Sequence, residues 1–159
     1  AERRPPARAA RSGAGALTVD EFDALVAEAR EIAEEAIAQI WPQYGRELQN
    51  IEVVVADEPP PETLREMGMT PPDTLYGLYD GVPLNERGWD YGNALPDVIS
   101  IFRGPIIRDC ADDDEIVQEV SFTIVHEFAH YVGMTEEEIQ EIEDRFWYGD
   151  DGADEDDTP

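Results

Sequence analysis

Lysine is absent from this chain, and 11 arginines face 38 acidic side chains, for a formal net charge of −27. That shortage of positive charge argues first against nucleic acid as a partner, because neutralised phosphates supply most of such affinity. The first eleven residues carry +3 and Asp150–Asp157 carries −6, which leaves −24 on the body of the chain. The acidity therefore belongs to the part that folds. Such a surface keeps a protein solvated, and it attracts cationic peptides or metal ions by long-range steering. Cysteine is almost missing too. Cys110 stands alone, so an internal disulfide and a thiolate metal cluster are both excluded. No apolar run approaches the ~20 residues that span a bilayer, and no membrane partner is expected. The Arg-rich start has no apolar stretch behind it, unlike a secretory signal; cytoplasm is the expected compartment.

What is present suffices for one domain. The chain has 159 residues, of which 42% are hydrophobic, enough for a single compact core and a monomer. Residues 1–16 are mostly Arg, Ala, Pro and Gly, and residues 149–159 are mostly acidic, chiefly Asp. Neither end can offset its ordering entropy by burial, so both read as disordered arms around a domain over 17–148. Within it, Phe22, Leu25, Val26, Ala29, Ile32, Ala33, Ala36, Ile37 and Ile40 recur at helical spacing between Thr18 or Asp20 and Pro42. Ile51–Ala56 is a β-branched run that reads as a buried strand, closed by Pro59, Pro60 and Pro61. Tyr76–Val82 and Val98–Phe102 are further strands, joined by a long loop holding Trp89 and Tyr91. Asp112 with Glu115 opens a helix that Gly133 ends, and Thr135 with Glu138 opens another whose inner face is Ile139, Ile142 and Phe146. The order predicts an α+β domain with a small mixed sheet.

The chemistry concentrates in one place. His126-Glu127-Phe128-Ala129-His130 is an H-E-x-x-H pattern on the buried helix. Residues four apart lie one turn above each other, so both imidazoles can reach one ion at about 2.0–2.1 Å. Glu127 sits beside them, displaced enough to take a proton from the ion's water without ligating it. A Glu and two His among apolar neighbours would be costly to leave without partners, and a zinc ion with its water satisfies all three. Catalytic zinc takes a third protein ligand and keeps a fourth position open. Gly133 can turn the chain back toward the ion, and Glu136 falls three residues later. Glu137 and Glu138 are its neighbours, and a first-turn acid favoured by the helix dipole is the bland alternative for Glu136. Oxyanion stabilisers could come from Tyr76, Tyr79, Tyr91 or Arg103. Tyr76–Val82 or Val98–Phe102 could be an exposed edge that pairs with an extended substrate, or could simply pack in the sheet. Cys110 has no local base, since both histidines are committed to the motif; it reads as a small buried hydrophobe.

Three stretches together carry a resemblance. They are Leu78-Tyr79-Asp80-Gly81-Val82-Pro83-Leu84, then Leu95-Pro96-Asp97-Val98-Ile99-Ser100-Ile101-Phe102-Arg103-Gly104-Pro105-Ile106, then the H-E-x-x-H-x-x-G helix. With them the chain resembles the bacterial zincin-like metallopeptidase family, from about Val19 to Trp147. The resemblance implies a minimal zincin fold and zinc-dependent cleavage of a peptide or protein substrate. It places the metal-binding histidines on His126 and His130 and the catalytic glutamate on Glu127. The family's usual aspartate after the glycine falls on Glu136, one methylene longer. Ala129 and Tyr131 stand where the family commonly has Gly and His, and neither is a presumed ligand. The alternatives are a zinc-dependent hydrolase of another substrate and a non-catalytic interaction module. A third histidine would favour the first, and a fourth protein ligand closing the site would favour the second.

Overall fold

The computed structural model describes residues 17–87 and 96–147. The two expected arms, Trp89, Tyr91 and the side chain of Phe146 lie outside the described residues. Helix α1 (Val19–Ile40) starts on a full capping box, with Thr18 Oγ1 accepting from the Glu21 amide and Glu21 Oε1 from the Thr18 amide, both at 3.0 Å. Its buried stripe is Phe22, Val26, Ala29, Ala33, Ala36 and Ile37. Ile32, expected on that stripe, instead faces solvent at 42% exposure.

Two short 3-10 turns lead into strand β1 (Ile51–Ala56). Helix α2 (Pro61–Glu66), strand β2 (Gly77–Asp80) and strand β3 (Asp97–Phe102) follow, then helices α3 (Arg103–Asp109), α4 (Asp113–Tyr131) and α5 (Glu136–Trp147). β3 is the central strand. β1 pairs with it in parallel, from Ile51 opposite Asp97 to Ala56 opposite Phe102, and β2 pairs antiparallel, with Tyr79 opposite Ile99. The fold is therefore α+β with a three-stranded mixed sheet. Two expectations are corrected. β1 is an edge strand of the described sheet, and Ile51 is its one buried residue. Val98–Phe102 lies in the centre of the sheet, so of the two candidate edges only β2 is one.

α4 packs between α1 on one side and β2 and β3 on the other. Val120, Ile124 and Phe128 meet the α1 stripe together with Ile99 and Ile101 of β3 in a single core. That placement makes α4 the most buried helix of the domain, so every polar group on it needs a local partner. Gly77 sets how closely β2 approaches α4: a Cβ there would stand 2.5 Å from Thr123 Cγ2. Among the described residues, no helix is long and apolar enough to cross a membrane.

Candidate metal centre

The second half of α4 carries three polar side chains into a cleft between α4, β2 and the start of α5. His126 and His130 stand one turn apart, with ring centroids separated by 5.2 Å. The ligand-capable atoms of His126, Glu127 and His130 all lie within 4.8 Å of one another. The turn after α4 then brings in a second carboxylate. Gly133 has φ 96°, and the amides of Gly133 and Met134 close back on the carbonyls of His130 and Ala129 at 2.9 and 3.0 Å. This is the six-residue closure that a left-handed glycine permits at a helix end. Thr135 then caps α5 through reciprocal bonds with Glu138, at 3.1 and 2.9 Å. As a result Glu136 Oε2 lies 2.9 Å from His130 Nε2, and Glu136 Oε1 lies 3.7 Å from His126 Nε2.

Two further contacts orient the cluster. The Tyr79 backbone amide donates to Glu127 Oε1 at 2.9 Å, fixing that carboxylate from the edge of the sheet. Glu143, one α5 turn beyond Ile139, is 6% exposed and puts Oε2 at 2.5 Å from His126 Nδ1. A proton on Nδ1 satisfies this bond and leaves the Nε2 lone pair facing Glu136 and His130.

The electrostatics follow from this crowding. Burial pushes the Glu127 carboxyl up to about 7, against the opposing pull of His126 and the Tyr79 amide. Burial also opposes charge on His126, but the bond and charge of Glu143 outweigh it and raise that pKa. On His130 burial prevails over Glu136, and the pKa falls. Two imidazole nitrogens and a carboxylate around one point are a donor set that suits zinc. The residues fit such an ion.

The family comparison agrees with this geometry: the zincin-like metallopeptidase family matches residues 48–146, which run from before β1 to the penultimate residue of α5 and include the whole cluster. The chain belongs to the zincin-like metallopeptidase family. No curated protein matches it. Membership supports a zinc metallopeptidase in general, acting on peptides or proteins.

As a zincin-like metallopeptidase, the chain brings His126, Glu127, His130 and Glu136 together, and sends their rivals elsewhere. Glu137 is exposed, Glu138 is spent on the cap, and Asp144 accepts from Gln140 at 3.1 Å on the outer face of α5. Of the described oxyanion candidates, Tyr79 alone lines the cleft, and the polar groups of all three are engaged with carboxylates other than Glu136. The Tyr76 hydroxyl bonds Asp109, the Tyr79 hydroxyl donates to Asp97 at 2.7 Å, and Arg103 pairs with Asp57 in a separate groove beside α1. Tyr91 lies outside the described residues. Cys110 ends α3, half-buried against the core. Glu143 was not among the residues the sequence singled out. Its one signal was position, four residues after Ile139 on a face otherwise read as apolar.

Proposed function

We propose that this protein is a zinc-dependent peptidase in which His126, His130 and Glu136 hold one zinc and Glu127 is the general base. The observation that carries the reading is the convergence of both imidazole Nε2 atoms on the Glu136 carboxylate, with Glu127 alongside in the same cleft. Zinc bound there supplies a Lewis acid that acidifies the attacking water and polarises the scissile carbonyl. Everything else falls to the chain. Glu143 holds His126 in the tautomer that presents Nε2, and it fixes the ring plane. The Tyr79 amide occupies Glu127 Oε1, so Oε2 accepts the proton as the water's oxygen joins the carbonyl carbon. Glu127 then passes that proton to the departing nitrogen as the C–N bond breaks, and the remaining proton of the attacking water moves from the new acid group to the released amine, leaving a carboxylate and an ammonium. β2 borders the cleft along its outer edge, and an extended substrate would lie there, against Gly77 and Leu78.

One observation favours a rival. Glu127 itself lies within ligand reach of both histidines, and four protein ligands would close the site and make it structural. Glu127→Gln separates the two. A general base gives a variant that keeps zinc and loses about 10²–10⁴-fold in turnover. Turnover matching the wild type, or loss of the zinc, contradicts the role assigned to Glu127.

A further inference from the structure

The chain has three methionines, and all three line the metal cleft. Two of them share a common origin. α2 ends on Gly68 (φ 75°), whose amide bonds the Arg65 carbonyl while the Met69 amide bonds that of Leu64, at 3.0 and 2.9 Å. α4 ends in the same way on Gly133, and Met134 takes the position that Met69 takes after α2. Two glycine-closed helix ends are thus each followed by a methionine that lines the cleft. The residue after such a glycine is often apolar because it covers the helix end, which accounts for Met69 and Met134 without any ligand. It does not account for Met67. That side chain is 49% exposed, and Val19 and Ile32 are the only other large apolar side chains so exposed among the described residues. Leu75, Leu78 and Pro83 continue the apolar wall in a cleft of about 560 Å³, within the range of sites that take a ligand.

The charge of the cleft is as one-sided as that of the body. Glu86, Glu127 and Glu136 line it, and none of its described lining residues is an arginine. Two of those acids have work at the zinc. Glu86, in the turn after Pro83, has none there and leaves negative charge at the rim.

We infer that the methionine wall is the specificity pocket of this peptidase, and that its substrate is a cationic peptide with a bulky apolar side chain beside the scissile bond. Thioethers suit such a pocket, being apolar, polarisable and able to adapt to leucine, methionine or an aromatic ring. The acidic rim and body draw basic flanking residues and repel acidic ones. The inference rests on the peptidase reading, and the test keeps the two apart.

The test compares zinc-loaded wild-type protein on matched peptides: an Arg-flanked segment with one central Leu, the same segment with Ala instead, and the Leu segment with Glu flanks. Cleavage next to Leu is expected. The Ala peptide should lose roughly 10–100-fold in kcat/KM, the scale set by removing several methylenes from a filled pocket. The Glu-flanked peptide should lose a comparable factor that shrinks as salt is added. Met67→Ser should narrow the Leu-over-Ala ratio. Equal cleavage of the Leu and Ala peptides, or preference for acidic flanks, overturns the inference. Binding of the same peptides to zinc-loaded Glu127→Gln completes the test without requiring turnover. If wild type cleaves nothing while this variant still prefers the Arg-flanked Leu peptide, the pocket stands and the peptidase reading falls. If the variant shows no preference either, the pocket falls too.

Discussion

Three carboxylates stand around two imidazoles, and alanine or amide substitution should separate their roles. Glu136 approaches both Nε2 atoms although its side chain is 71% exposed, an arrangement that local packing does not require. Glu136→Ala should therefore weaken zinc affinity by more than the roughly 10–100-fold typical of removing an outer partner. Glu143→Gln, which acts only through His126, should fall within that range. Glu137→Ala removes an acid worth about 0.3–1 kcal/mol to the helix dipole and should leave affinity nearly unchanged. Chelator competition on the three variants gives the order, and equal effects at Glu136 and Glu137 would remove Glu136 from the ligand set. Glu127 makes a different prediction, for metal-free protein. Its carboxyl is raised from about 4.5 to about 7, so the folded state holds a proton that the unfolded chain releases. The native form binds more protons than the unfolded one in that window, and stability must fall as pH rises from about 4.5 to 7. Glu127→Gln removes this slope. Denaturant melts of both metal-free proteins across the window should converge at low pH and diverge, with the variant the more stable, above about 7. The same residues differ in how legible they were. His126, Glu127 and His130 could be read because one helical turn alone sets their spacing. Glu143 could not, because its role depends on how α5 folds back over α4.

At the scale of elements, the helix boundary at Gly133 decides whether Glu136 reaches the histidines. A Cβ at Gly133 would meet the side chain of Asn85 at 2.3–2.5 Å, in addition to the strain of φ 96°. Gly68 has a similar φ, 75°, with nothing within 4 Å of a Cβ. Gly68→Ala should cost only the backbone term, about 1 kcal/mol. Gly133→Ala should cost clearly more and should also weaken zinc binding, because the turn that delivers Glu136 must shift. Melting temperatures and zinc titrations of the pair check this; equal behaviour would show that the turn does not position the ligand. The boundary spelled by Thr135 with Glu138 was legible, and both reciprocal bonds form; at α1 the sequence left the start open between Thr18 and Asp20, and the structure starts the helix after Thr18, capped reciprocally with Glu21. At α4 the pattern is shifted, with Glu115 reaching the Ala111 amide at 2.7 Å instead of that of Asp112. α3 was missed. Gly104 and Pro105 stand in its first turn, where proline is tolerated because its missing amide is not needed. β1 was misjudged, since Val53, Val54 and Val55 report strand propensity and not position in the sheet.

At the scale of the whole molecule, an acidic body surrounds a cleft whose own charges become favourable once a cation is present. Glu127, Glu136 and Glu143 crowd two imidazoles within hydrogen-bonding or ligand distance. Such crowding is costly without a positive partner and favourable with one. The α+β class and mixed sheet were legible because helical and strand periods alternate cleanly along the chain. The strand order was not, because it depends on long-range pairing between β1 and β3, which β2 separates in sequence but not in the sheet. Family membership and the fold both point to zinc, so the most direct measurement is a zinc titration of metal-free protein at neutral pH. The expected result is about one zinc per chain, held at micromolar affinity or tighter and released as pH falls through the histidine range, because protons compete for both imidazoles. A protein that folds normally yet binds no zinc at micromolar concentrations would contradict the metal-site assignment at its centre.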